Sequence, residues 1–285
     1  MHCRRHDHVA VCIHACVIVC LQAHWLRADG QEPNVRVRLC QTMSAERSIK
    51  KRIAVALADC GYTVVDDPAV PCKIQSHCAG MDAVASSFKL LGITVKSLAT
   101  EVDVTPAAFH LMHHRGKNTE HLVSDIKWVA QGDCGPCFLH GGKMCKWDCH
   151  GLQLLFSSFV CRPYSRASSK RVKTMTSGDD DPKGVDTYHH TKTIIERYKP
   201  AAFVLENVDG VTHAHPEDGA PTRTKRHKTS PADFMLDDLK NAGYDVAMLS
   251  SVKASDFGIC QSRPRTLFFG VRLGGGLGEW RRMLV

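Results

Sequence analysis

The chain has 285 residues, with 37 Lys and Arg against 29 Asp and Glu, for a formal net charge of +8 with His neutral. At 44% hydrophobic and 23% charged residues it has the balance of a soluble globular protein, long enough for one α/β domain with a sizeable core. The 14 cysteines are scattered, which argues against a disulfide scaffold and for a reducing compartment, and the positive charge favours polyanionic partners.

Residues 1–8 are basic and His-rich, and residues 9–21 are apolar. That stretch resembles a signal-peptide core, but it is short and broken by His14, so no membrane span is expected. Residues 1–71 are read as a leader of unassigned function. From about residue 72 the chain alternates apolar runs with helical patterns, as in a parallel α/β sheet. A strand is predicted over 73–78, a turn at Ala79-Gly80, and a helix over 82–91 stopped by Gly92. A second strand over 93–100 ends at Glu101, and Thr105-Pro106 opens a helix to His114. A short strand over 122–124 ends at Asp125-Ile126. The apolar run 152–160 is a strand delivering Cys161. A helix over 189–198 precedes a buried strand over 202–205, and 213–229 is a polar, basic loop. Ser230-Pro231 caps a helix to Asn241, Gly243 ends it, and strands over 245–252 and 266–271 follow.

Three pieces carry chemistry. Cys161 lies in a tight loop, Phe159-Val160-Cys161-Arg162-Pro163-Tyr164-Ser165, after an apolar run. Glu206 follows the apolar Phe203-Val204-Leu205 and precedes Asn207-Val208. Gln261-Ser262-Arg263-Pro264-Arg265 comes last. A thiolate and a carboxyl proton donor suit reaction at an electron-poor ring. Arg162, Arg166, Lys170 and Arg171 could favour the thiolate. At the other end of the domain, Gly80 lets the backbone approach a ligand at a helix N-terminus, and Glu101 lies about 20 residues on, where such folds place an acid on ribose hydroxyls. Asp125 and Ile126 offer a carboxylate acceptor beside an apolar face, as an adenine requires.

In this order the pieces resemble the DNA (cytosine-5)-methyltransferase family, with its Pro-Cys-Gln-Pro-Phe-Ser-like loop, Glu-Asn-Val strand end and Gln-x-Arg-x-Arg element. The resemblance covers about residues 72–272. It implies an α/β, Rossmann-like class I S-adenosylmethionine-dependent methyltransferase sheet with helices on both faces. It also implies methyl transfer to C5 of cytosine in DNA through a Cys161 adduct at C6. Glu206 would hydrogen-bond N3, protonated or sharing a proton. Arg265, or as the lesser candidate Arg263, would contact the base carbonyl or orient Glu206. S-adenosylmethionine would be held by Cys78, Ala79, Gly80, Met81, Glu101, Val102, Asp125 and Ile126. The chain departs from the family pattern at Val160 and Arg162, where proline and glutamine are usual, and at Cys78, which fills an aromatic slot. Asp82 near the cofactor carboxylate would weaken binding.

The family's target-recognition region and two closing motifs are expected after the Arg-rich element. Residues 72–285 are therefore read as a catalytic domain truncated at its C-terminus, with a partner protein as one source of target recognition. The alternative functions are an RNA cytosine-5 methyltransferase acting on tRNA and a degenerate, non-catalytic homologue that binds nucleic acid or a partner enzyme. The implied location is the nucleus or another intracellular compartment.

Two further features remain. Cys134-Gly-Pro-Cys137 and Cys145-x3-Cys149, with His140 and His150 nearby, have spacing compatible with zinc, but a Cys-rich chain makes such pairs by chance and no metal is assigned. The run Arg223-Thr-Lys-Arg-His-Lys228 suits DNA phosphates, a nuclear localisation signal or a solvated loop.

Overall fold

A computed structural model describes residues 71–80, 82–91, 94–114, 119–165, 182–213, 230–253, 255 and 262–273. The leader, Met81, Arg166, Lys170, Arg171, the basic run at 223–228 and Gln261 lie outside the described residues.

The strands are β1 (Cys72–His77), β2 (Val95–Thr100), β3 (Thr119–Val123), β4 (Cys134–Cys137), β5 (Lys143–Lys146), β6 (Leu154–Ser157), β7 (Ala202–Val208), β8 (Tyr244–Val252) and β9 (Arg265–Arg272). The helices are α1 (Ala83–Leu91), α2 (Val104–His114), α3 (Ile126–Gln131), α4 (Pro182–Tyr198) and α5 (Pro231–Asn241). Among the described residues the strands form one nine-stranded sheet in the order β5-β4-β3-β2-β1-β6-β7-β9-β8. β3, β2, β1, β6 and β7 run parallel, and β4, β5, β8 and β9 are paired antiparallel at the two ends. From β1 the chain first builds toward β3 and later, from β6, toward β7. The order therefore reverses between β1 and β6, and a ligand crevice is expected at the carboxyl ends of those strands.

Central strands buried on both faces read as continuous apolar runs, and every residue of β6 and β7 is buried. Alternation sorts their side chains. Leu155, Phe203, Leu205 and Phe268 pack on one face with Tyr188 and Ile194 of α4 and Met235 and Leu239 of α5. Leu154, Phe156, Val204, Leu267 and Phe269 pack on the other with Val84 of α1. Gly270 sits opposite Phe203 in the β7–β9 register, and a Cβ there would overlap the Phe203 ring. Ser230 and Asp233 close a capping box at the start of α5, as the Ser-Pro pair predicts. Asp238 of α5 accepts from Lys192 Nζ at 2.6 Å and Tyr188 Oη at 3.1 Å, which fastens α4 to α5.

Several predicted boundaries change. The strand predicted at 122–124 is Thr119–Val123, and Asp125 does not end it. Its Oδ1 accepts the Lys127 N–H at 3.0 Å and caps α3, a helix that six residues cannot announce by periodicity. The strand predicted at 152–160 is confined to Leu154–Ser157. β7 runs on to Val208, so Glu206 and Asn207 are strand residues whose neighbours across the ladder are Leu267 and Thr266. The β4–β5 hairpin has no counterpart in the predicted elements.

His77, at the end of β1, is fully buried. Gln75 Oε1 can only accept, so His77 Nε2 donates to it at 3.0 Å and Nδ1 accepts from the Thr100 hydroxyl at 3.2 Å. Burial lowers the His77 pKa from 6.5 to about 3. Below pH 6.5 the unfolded chain binds a proton that the folded chain refuses. Stability from this group is therefore full above that pH and falls as pH drops from 6.5 toward 3. Between about pH 7.5 and about pH 5.5 the loss is about 1.4 kcal/mol. Urea unfolding at those two pH values should show an acid-side loss smaller by that amount in His77→Gln than in wild type. Equal losses would assign the pH dependence to other groups.

Candidate active site

Cys161 follows β6 and opens the short helical turn Arg162–Tyr164, with φ −87° and ψ −10°. Its loop is fixed from three sides. The Ser158 N–H donates to the His77 carbonyl at 3.1 Å, which ties the loop to β1. Val160 N–H donates to Thr187 Oγ1 of α4 at 3.0 Å. A proline at position 160 could not make that bond, so the departure from the family pattern exchanges ring stiffness for a hydrogen bond to a helix. Asn207 Nδ2 donates to the Phe159 carbonyl at 2.9 Å, and its Oδ1 accepts the Val208 N–H at 2.8 Å. Phe159 is also packed edge-on against Tyr164 with ring centroids 6.0 Å apart. Cys161 itself is half-buried against the main core, and the neighbouring Arg162 side chain is exposed.

Glu206 is buried near the end of β7. Its Oε1 meets Arg265 Nε at 2.5 Å and its Oε2 accepts the Ser158 hydroxyl at 2.7 Å. Arg265 is buried as well, and its Nη1 donates to the Pro264 carbonyl at 3.0 Å. Burial pulls the Arg265 pKa down and Arg263 acts in the same direction, while Glu206 and Cys161 oppose them. Arg265 is thus the arginine that orients Glu206, within electrostatic reach of Cys161, and Arg263 is exposed.

The turn after β1 is unusual in its backbone. Cys78, Gly80 and Asp82 all have positive φ, at 52°, 56° and 50°. Left-handed conformations at the two non-glycine positions cost about 1–3 kcal/mol each and persist only where surroundings impose them. Here Ala79 N–H donates to the Thr100 carbonyl at 2.9 Å, and Cys78 N–H to its hydroxyl at 3.3 Å. Gly80 N–H donates to Glu101 Oε2 at 2.7 Å, and Asp103 N–H to Oε1 at 3.0 Å. The buried Glu101 carboxylate therefore joins the ends of β1 and β2. Each of its oxygens keeps a lone pair for a further donor.

Burial, with Glu101 and Asp125 adding, pushes the Cys78 thiol up to about 12, so it is a neutral, inert group between two carboxylates. Asp82 does not face this crevice. It is fully buried, its Oδ1 accepts the Ala85 N–H at 3.2 Å as a cap on α1, and Oδ2 lies 3.9 Å from His110 Nε2. Val102 is exposed, whereas Ile126 is in the core. Asp125 is divided between its cap and Lys127, whose Nζ is 3.5 Å from Oδ2.

Sequence reasoning missed Ser158, Thr187 and Asp209. Asp209 follows β7 and accepts from the Ser251 N–H at 2.9 Å, the Ser251 hydroxyl at 3.0 Å and the Thr266 hydroxyl at 3.1 Å. Burial raises its pKa, but these bonds prevail and hold it below the usual carboxylate range. The only signal for it was its place directly after the Glu-Asn-Val strand.

Removing one partner of a buried ion pair leaves an uncompensated charge. Arg265→Leu should therefore destabilise the fold by about 3–5 kcal/mol, against about 1 kcal/mol for Ser158→Ala. Denaturant midpoints of the two variants check this, and equal effects would mean that the pair is solvated.

The profile of the C-5 cytosine-specific DNA methylase family matches residues 78–276. Type II methyltransferase M.SacI of Streptomyces achromogenes is 29% identical over 179 residues, covering 62% of this chain and 40% of that protein. Type II methyltransferase M.NlaIV of Neisseria lactamica is 28% identical over 197 residues, covering 67% and 39%. The chain thus spans about two fifths of the length of these curated relatives. The solved structure of the Entamoeba histolytica methyltransferase EhMeth is 14% identical with a TM-score of 0.48, covering 73% of this chain and 55% of that one. With the family profile matched from the β1 turn through β9, the chain belongs to the C-5 cytosine-specific DNA methylase family.

Proposed function

We propose that this chain transfers a methyl group from S-adenosylmethionine to C5 of cytosine in DNA, through a transient bond between Cys161 Sγ and C6 of the base. The observation that carries this reading is the convergence at the carboxyl ends of two central strands, β6 and β7. Cys161 follows β6, the Glu206–Arg265 pair sits at the end of β7, and Asn207 ties the two loops together. A cytosine in a duplex must first leave the stack to reach such a site. Addition of the thiolate at C6, with Glu206 hydrogen-bonded at N3, turns the ring into an enamine whose C5 is nucleophilic. After methyl transfer, loss of the C5 proton to water and expulsion of the thiolate restore the ring. Arg265 keeps Glu206 aimed through these steps.

The residues present fit the cofactor. Glu101 has free lone pairs for ribose hydroxyls, and the strained Cys78–Gly80 turn brings backbone close to the crevice beside it. Bound S-adenosylmethionine would supply an electrophilic methyl group. Val102, Asp125 and Met81 belong to the same proposed set. The reading places the chain with DNA, in the nucleus or another intracellular compartment. No helix among the described residues is long and apolar enough to cross a membrane.

A 5-fluorocytosine oligonucleotide with S-adenosylmethionine should give a stable covalent adduct in its DNA form, absent from Cys161→Ser. An adduct with the RNA form alone would replace DNA by RNA as substrate, and an adduct that survives Cys161→Ser would remove the nucleophile. Separately, Glu101→Ala should weaken S-adenosylmethionine binding by about 1–2 kcal/mol in calorimetry. Unchanged affinity would mean that Glu101 serves only to hold its two strand ends.

A further inference from the structure

The sheet edge beyond β3 gathers a set of side chains that methyl transfer does not use. His121 of β3, Cys137 at the end of β4, His140 in the following turn and Cys145 of β5 place one ligand atom each within 4.8 Å of one another. His140 Nδ1 lies 3.2 Å from Cys137 Sγ and 3.3 Å from Cys145 Sγ. A tetrahedral zinc with Zn–S of about 2.3 Å and Zn–N of about 2.0 Å has ligand–ligand edges of about 3.3–3.8 Å, so these separations suit one ion. His121 also carries a buried ring nitrogen, Nδ1, that no group among the described residues satisfies.

The backbone is arranged around the same point. β4 and β5 pair antiparallel with Gly135 opposite Cys145 and Cys137 opposite Lys143. Cross-strand partners share a face and alternate residues share a face, so Cys137 and Cys145 emerge on the same side of the hairpin. Gly141 and Gly142, at φ 68° and 79°, turn the chain back so that His140 stands over both sulfurs. The hairpin is joined to the rest of the sheet by one ladder pair, Val123 with Cys137, and by the Ser124 N–H to Pro136 carbonyl bond at 3.0 Å. Gly135 also lies close against Trp128 of α3, and Phe138 and Leu139 pack with Leu122 of β3.

The four cysteines grouped by spacing do not make this set. Cys134 and Cys137 are three apart on a strand and face opposite sides. Cys134 is exposed, and Cys149 is buried with its Sγ accepting from Gln75 Nε2 at 2.7 Å. We infer that His121, Cys137, His140 and Cys145 form a closed, structural zinc site that staples the β4–β5 hairpin to β3. Two thiolates and two imidazoles select zinc over the oxygen-seeking cations, and four protein ligands leave no position for chemistry. The inference is independent of the proposed methyl transfer.

The full chain, expressed with zinc and purified without chelators, should carry about one zinc per chain by mass spectrometry of the elements. Cys134→Ser and His150→Ala, which alter exposed non-ligands, should keep it. Cys145→Ser and His140→Ala should bind zinc at least about tenfold more weakly. Cobalt(II) added to metal-free wild type should give the visible bands of a tetrahedral thiolate complex, a readout that needs no variant to fold. Wild type that neither retains zinc nor gives the cobalt spectrum would overturn the site. Loss of zinc from Cys134→Ser equal to that from Cys145→Ser would overturn the ligand set.

Discussion

A carboxylate withdrawn from water loses several kcal/mol of hydration unless a cation and hydrogen bonds travel with it. Glu206 is withdrawn by its place in a fully buried strand, and Arg265 reaches it from the neighbouring antiparallel strand. The pair therefore requires β9 to be inserted beside β7, in the register that sets Arg265 opposite Val208. A slip of one residue would turn every β9 side chain to the other face and strand both charges. The same register puts Gly270 under the Phe203 ring and Thr266 against Asp209. Chemistry and packing thus depend on one alignment.

The turn after β1 uses a related device. Glu101 is held by two backbone N–H groups instead of a guanidinium, and it keeps its neighbours in conformations that they would not adopt alone. One side chain joins two strand ends and remains an acceptor. A ligand binding there meets a turn whose backbone is already ordered, so little conformational entropy is lost on binding.

Much of this was legible in the sequence where one residue's type decides the outcome. Buried parallel strands must be apolar, so 152–160 and 202–205 stood out, and Ser230-Pro231 stated its own cap. Cys161, Glu206 and Arg265 were singled out because their order along the chain has meaning. What escaped depends on partners distant in sequence. Glu206 and Asn207 read as the residues after a strand because polar groups seldom lie inside one, and only β9 and the Cys161 loop supply their partners. Asp82 read as a charge near a cofactor carboxylate and Asp125 as an adenine acceptor; both cap helices, since a short acid ahead of a helix can turn to its own backbone. Cysteine spacing along the chain groups Cys134 with Cys137, whereas a strand's alternation sends the two to opposite faces.

The Asp209–Ser251 contact has a consequence at the rim of the sheet. Ser251 is held at φ 56°, and the β8–β9 register shifts between Leu249 and Val252 at that point. β8 is the outermost strand on its side, nine residues long and with Leu249 exposed, which is the form that invites another chain to extend the ladder. A kink pinned by a carboxylate breaks the straight row of unpaired amides that such an intruder would follow. The opposite rim, β5, is only four residues long and has exposed lysines at both ends. Each border of the sheet thus resists fusion with another sheet, one by bending and the other by charge.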